Sequence, residues 1–92
     1  MSLNVKYTSK FKKDFKKIEK RKINTDELEF IVNELREQRP LAEKYCDHAL
    51  AGKYYGHREC HIHPDWLLLY IVNNHVLTLT LTHTGSHSDL FI

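Results

Sequence analysis

Trp66-Leu-Leu-Leu-Tyr-Ile-Val-Asn-Asn-His-Val-Leu-Thr-Leu-Thr-Leu-Thr-His83 holds two kinds of β signal in succession. Every position from Trp66 to Val72 is apolar, as expected of a central strand covered on both faces. Asn73-Asn74 then supplies a two-residue hairpin turn, because asparagine tolerates positive φ. From Val76 to His83 the chain alternates, with Leu77, Leu79 and Leu81 toward a core and Thr78, Thr80 and Thr82 opposite. Just upstream, Arg58, Cys60 and Ile62 alternate with Glu59, His61 and His63, and Pro64-Asp65 makes the turn between. The expected product is a three-stranded antiparallel meander.

The N-terminal half reads as one strand and two helices. Leu3, Val5 and Tyr7 alternate with Asn4 and Lys6, the period of a short half-buried strand. Thr8 or Ser9 is placed to cap a helix whose apolar stripe is Phe11, Phe15 and Ile18, with lysines on its other faces. A second helix is expected from near Asn24, with Glu27 as capping-box partner and Leu28, Ile31, Val32 and Leu35 as its stripe. Pro40 ends it. So short a link makes the pair an antiparallel hairpin. Residues 41–56, with Gly52 and Gly56, read as loop plus a short strand, and the tail from Gly85 as a single turn against the sheet. The fold class is α+β, one domain over residues 1–92, with the helical hairpin covering the inner face of the sheet.

The composition is that of an ordinary globular protein, 41% hydrophobic and 28% charged, which argues against disorder. The net charge of +2 conceals an asymmetry. Residues 1–22 hold nine Lys and Arg against Asp14 and Glu19, whereas from Ile23 onward acids outnumber bases ten to five. A basic block on one element suits a polyanion, nucleic acid above all, or is simply a solvated face. Cys46 and Cys60 form no disulfide framework and no CxxC pair, which fits a reducing compartment. With no apolar leader and no apolar run approaching ~20 residues, no signal peptide or membrane span is expected, and the expected location is cytoplasmic.

Chemistry is concentrated in His57-Arg-Glu-Cys-His-Ile-His-Pro-Asp-Trp66. In a meander, His61 and Asp65 lie near the first hairpin turn, and His83 leaves the last strand at that same end with His87 just beyond. Asp65, His61, His83 and His87 therefore converge on one rim. Acid–base cleavage of RNA would use such a rim, since imidazole exchanges protons near neutrality and a carboxylate orients it or shares the base role. A zinc site from His61-x-His63 with Asp65 or His48 is the second option. Nucleophilic catalysis by Cys60 or Cys46 is the third; Cys60 shares parity with Ile62 and reads as core, and Cys46 has no evident activating base.

Tyr45-Cys-Asp-His-Ala-Leu-Ala-Gly52, Arg58-Glu-Cys-His-Ile-His-Pro-Asp-Trp66 with Leu67–Tyr70, and Thr84-Gly-Ser-His-Ser-Asp-Leu-Phe91 together resemble the signature of YafQ-type toxins, in the RelE/ParE superfamily of bacterial type II toxin–antitoxin systems. The resemblance implies a helical hairpin on a curved antiparallel sheet and ribosome-dependent cleavage of mRNA in the A site. It implies no metal or other cofactor, and a cognate antitoxin as partner. It assigns His48, His61, Asp65 and His87 to catalysis, with His87 as general acid and Asp65 with His48 or His61 as base and orienting groups. Phe91 and Trp66 fall to the substrate. Where relatives commonly have an arginine before Thr-Gly, this chain has His83. Either His83 grips phosphate in a pH-dependent way, or Arg58 or Lys53 substitutes. Lys10, Lys12, Lys13, Lys16, Lys17 and Lys20 are expected to include a set that docks on rRNA phosphates. The competing readings are a ParE-like topoisomerase inhibitor without enzymatic activity, and a metal-dependent hydrolase.

Overall fold

In the computed structural model, which describes residues 2–91, the elements run β1 (Asn4–Tyr7), α1 (Ser9–Lys20), α2 (Asp26–Arg36), β2 (His48–Ala49), β3 (Arg58–His63), β4 (Trp66–Asn73), β5 (Thr78–Gly85) and α3 (His87–Phe91). Two 3₁₀ turns, Glu43–Tyr45 and Gly52–Tyr54, flank β2. One five-stranded sheet has the order β1-β5-β4-β3-β2. β2 to β5 are antiparallel, as the meander requires.

β1 departs from an all-antiparallel sheet: it pairs parallel to β5, Val5 opposite Leu79 and Tyr7 opposite Leu81. Alternation sets which face of β1 is buried but says nothing of its neighbour. The junction with α1 sets that neighbour. Thr8 donates its N–H to the Leu81 carbonyl and its hydroxyl to the Thr82 carbonyl, while its Oγ1 accepts from Phe11 N as the helix cap. One residue thus starts α1 and ties it to β5.

Helix α1 buries Phe11 and Ile18 and leaves Lys12, Lys13, Lys16, Lys17 and Lys20 exposed. Its stripe also includes an acid. Asp14 is buried, accepts from Thr84 N at 3.2 Å and pairs with Lys10. Helix α2 starts at Asp26, later than expected, with Leu28, Ile31 and Leu35 buried. Thr25 makes no side-chain cap, Asn24 Oδ1 accepts from Asp26 N, and Glu27 accepts from the Tyr45 hydroxyl rather than closing a capping box. The tertiary bond to Tyr45 replaces the local one.

The apolar run of β4 is explained by cover on both faces. Trp66, Leu68 and Tyr70 pack toward the helices with Cys60, Ile62, Leu79 and Leu81. Leu67 and Leu69 face the other way, under Leu90 of α3 with Leu50 and Tyr54 alongside. A fully buried leucine is worth about 1.5–3 kcal/mol relative to an exposed one.

Two further details shape the site. The β4–β5 turn is four residues long, Asn73 pairing with Thr78, because Asn73 Oδ1 accepts from His75 N and Val76 N and Leu77 takes the positive φ. The register of β5 also shifts: Leu69 pairs with His83 but Tyr70 with Leu81, so Thr82 is an extra residue. This bulge reverses the alternation. Without it His83 would share the helix-side face of Leu79 and Leu81.

Candidate active site

Residues paired across neighbouring strands point to the same face. His48, Glu59, Leu69 and His83 therefore form one row across β2, β3, β4 and β5, on the face away from α1 and α2. The next row is His61, Leu67 and Gly85. Helix α3 folds over these rows through Leu90. It is held by a reciprocal capping box, with Asp89 Oδ2 accepting from Ser86 N and Ser86 Oγ from Asp89 N, each at 3.1 Å. These bonds hold the Asp89 carboxyl below its ordinary range. A side chain at Gly85 would put its Cβ 3.1 Å from Asp89 and disturb this turn.

The centre of the site is Glu59, only 4% exposed. Its Oε1 lies 3.3 Å from His48 Nε2 and 3.5 Å from His61 Nε2. His48 Nδ1 is 2.6 Å from the Cys46 carbonyl, which only accepts, so Nδ1 is its donor and Nε2 the nitrogen free to exchange a proton. The His87 ring stands 5.7 Å from that of His61 and 6.0 Å from Phe91. Glu59, His61 and His87 each place a ligand-type atom within 4.8 Å of the others.

His48, His61 and His87 are thus brought together, but around Glu59 rather than Asp65. Asp65 is 80% exposed, and its contact is with His87, Nδ1 to Oδ1 3.8 Å. It lies on the β3–β4 turn, beyond the last paired residues, and does not reach the carboxylate position between the imidazoles. Glu59 had a signal in the sequence, its i, i+2 parity with His61.

The residues expected at substrate divide. Phe91 is exposed and its ring meets Tyr54 edge-on at 5.5 Å. Trp66 is 7% exposed, on the helix side, with Nε1 donating to Thr84 Oγ1 at 2.8 Å. This corrects its placement at substrate: the β-strand parity that puts Leu67 over the site puts Trp66 in the core. Arg58 likewise points to the face opposite Glu59 and pairs with Asp47, which also accepts from Tyr70 Oη. Its guanidinium belongs to a structural clamp. Lys10 pairs with Asp14, which takes it out of the free lysine set.

His83 faces the site beside Tyr54 and His57, ring centroids 5.5 and 6.1 Å away, with its Nδ1 buried and unpartnered. Burial lowers its pKa below the ordinary 6.5, and the charges of Lys10, His57 and Lys53 act in the same direction against Asp14. As pH falls, the unfolded chain takes up this proton before the folded one. The group's contribution to stability is complete above about pH 6.5 and is lost as pH falls toward the folded value. Urea denaturation either side of that pH should show a smaller acid loss for His83→Gln than for wild type; equal losses would contradict the assignment.

The zinc arrangement expected from His61-x-His63 does not form. The β3 register slips between these residues, and His63 is exposed with its ring 5.7 Å from Trp66. Cys60 is fully buried and its thiol is pushed up to about 12 by burial, which removes it as a nucleophile. Among the described residues no helix is long and apolar enough to cross a membrane.

The chain matches, over residues 3–92, the family model described as bacterial toxin of type II toxin–antitoxin system, YafQ. It is 33% identical over 89 residues to the mRNA interferase toxin YafQ of Escherichia coli K12, covering 96% of this chain and 95% of that one. The E. coli DinJ–YafQ toxin–antitoxin complex contains a chain that superposes with a TM-score of 0.89 at 31% identity, over 100% of both. A copper-bound mutant toxin from Helicobacter pylori superposes at 0.91 with 39% identity, over 97% of this chain and 99% of that one. With the sheet order, the histidine cluster and these matches in agreement, the chain belongs to the YafQ family of bacterial type II toxin–antitoxin toxins.

Proposed function

We propose that this toxin is a ribosome-dependent endoribonuclease, cleaving mRNA in the A site by acid–base chemistry on its own side chains and neutralised by a cognate antitoxin. The observation that supports this most is the buried Glu59 carboxylate held between His48 and His61, with His87 facing it across an open surface. Transfer through a 2′,3′-cyclic phosphate needs a base for the 2′-OH proton and an acid for the departing 5′-oxygen. Glu59, oriented by His48 and His61, takes the first proton. His87 gives the second, with Asp65 steadying its ring from solvent. The 2′-oxygen bonds to phosphorus as the 5′-oxygen leaves, so one proton enters the protein and one is returned.

The developing phosphorane charge needs a cation. Arg58 is committed to Asp47, and burial favours neutral His83. Lys53, exposed and 5.7 Å from the Tyr54 ring on the active face, is the cation of choice. Phe91 and Tyr54 offer apolar ring surface for a base, and Lys12, Lys13, Lys16, Lys17 and Lys20 face solvent for rRNA.

The test is purified toxin with mRNA, with and without ribosomes. Cleavage confined to translating ribosomes is expected, with Mg²⁺ kept for the ribosome and a chelator selective for transition metals present. Ribosome association should weaken steeply with salt, and replacing the five free lysines by Gln should flatten that slope. No cleavage, with inhibition of a topoisomerase instead, would establish the non-enzymatic alternative.

A further inference from the structure

We propose that the pocket at the outer edge of β3 is a nucleotide subsite, which receives the residue of mRNA immediately 5′ of the one whose 2′-OH attacks. The proposal rests on the nuclease function above and adds the path of the substrate strand.

The pocket has a volume of about 530 Å³, and its polar lining is Glu27, Lys44, Tyr45, Cys46, His61 and His63. Sites for small organic ligands commonly run to about 300–1,000 Å³, so a nucleotide is of suitable size. The edge of β3 is open here because β2 pairs with it only at Arg58 and Glu59. Two links join the pocket to the catalytic cluster. His61 lines both, and the Cys46 carbonyl is the group that holds His48 Nδ1. The pocket also turns the corner of the sheet. His61 lies on the face of Leu67, whereas His63, past the register slip, pairs with Trp66 and so lies on the helix side. A strand leaving the active face beside His61 therefore meets a bent channel round the β3 edge.

The polarity of the strand follows from the roles of the proton-transfer groups. The attacking 2′-OH belongs to the nucleotide 5′ of the cleaved phosphate and must lie at Glu59, on β3. The departing 5′-oxygen belongs to the following nucleotide and must lie at His87, on α3. Helix α3 packs over Leu67 and Leu69 of β4, and the pocket is on the other side of β3 from β4. The 5′ side of the strand thus runs toward the pocket, and the 3′ side toward Phe91 and Tyr54.

The chemistry of the lining suits a nucleotide. Lys44 and His63 are exposed, and neither makes an ion pair among the described residues. Lys44 Nζ stands 5.1 Å from the Tyr45 ring and is a permanent cation for phosphate. Glu27 accepts from the Tyr45 hydroxyl, and its carboxylate has further lone pairs for an amino N–H of a base.

The test uses mRNA whose attacking 2′-OH is replaced by a 2′-methoxy group, so that the toxin binds on the ribosome without cutting. A photoreactive thiouridine immediately 5′ of that nucleotide should crosslink to residues 44–46 or 61–63. Placed just 3′ of the cut, it should crosslink to Tyr54 or Phe91 instead. With unmodified mRNA, the double variant Lys44→Gln/His63→Gln should need at least about fivefold more toxin for half-maximal single-turnover cleavage, the loss falling on half-saturation rather than on the maximal rate. Its binding to ribosomes without mRNA should match wild type. Crosslinks from the 5′ probe confined to other segments, or an unchanged half-saturation, would overturn the subsite. Equal weakening on mRNA-free ribosomes would assign the two cations to rRNA and overturn it as well. A toxin that crosslinks at the pocket yet leaves unmodified mRNA intact would overturn the nuclease reading and uphold the RNA site.

Discussion

Replacing His87 by glutamine should slow mRNA cleavage on the ribosome by about 10²–10⁴-fold, the usual contribution of a positioned acid. Its side chain is 54% exposed and makes one long contact, 3.8 Å to Asp65, besides ring contacts with His61 and Phe91. No buried partner is orphaned by the change, so stability should move by no more than about 0.5 kcal/mol. Glutamine keeps a polar group of similar reach but cannot deliver a proton. The loss should therefore fall on the chemical step, in single-turnover kinetics, with ribosome binding unchanged. Asp65→Asn should cost far less, because so exposed a carboxylate is well screened from the ring it faces. A His87→Gln toxin that cleaves normally, or an Asp65→Asn toxin as impaired as His87→Gln, would overturn these roles.

Much of this arrangement was legible in the chain because periodicity reports burial directly. The stripes Phe11/Ile18 and Leu28/Ile31/Leu35 and the unbroken run of β4 identified the layers. What stayed hidden depends on partners distant in sequence. The parallel pairing of β1 is set by the bonds from Thr8 to β5, 73 and 74 residues away from Leu81 and Thr82. The Thr82 bulge is invisible in a clean Leu/Thr alternation, yet it turns His83 onto the face that carries His48 and Glu59. Trp66 attracts a substrate role by its neighbourhood in sequence, but one step of strand parity sends it into the core. Asp14 stayed hidden for the same reason: it counts only as a charge in the sequence, yet it is buried on the stripe between Phe11 and Ile18 and accepts from Thr84 N, 70 residues away.

The same logic makes Glu59→Gln the most informative substitution. As base, Glu59 should account for about 10²–10⁴-fold of the cleavage rate, a loss comparable to that of His87→Gln. Its effect on the fold should have the opposite sign. Burial desolvates the carboxylate, and the neighbours that compensate it, His48 and His61, carry full charge only when protonated. Glutamine has nearly the same shape, offers an amide that can accept from or donate to the two imidazoles, and has no charge to desolvate. Thermal unfolding should therefore show Glu59→Gln as stable as wild type or more so, while single-turnover cleavage collapses. A structural carboxylate would behave differently: its removal would lower stability and activity together. A stable variant that still cleaves at the wild-type rate would pass the base role back to Asp65, the exposed carboxylate on the far side of His87. Gain in stability with loss of cleavage is what a buried carboxylate retained for proton transfer predicts.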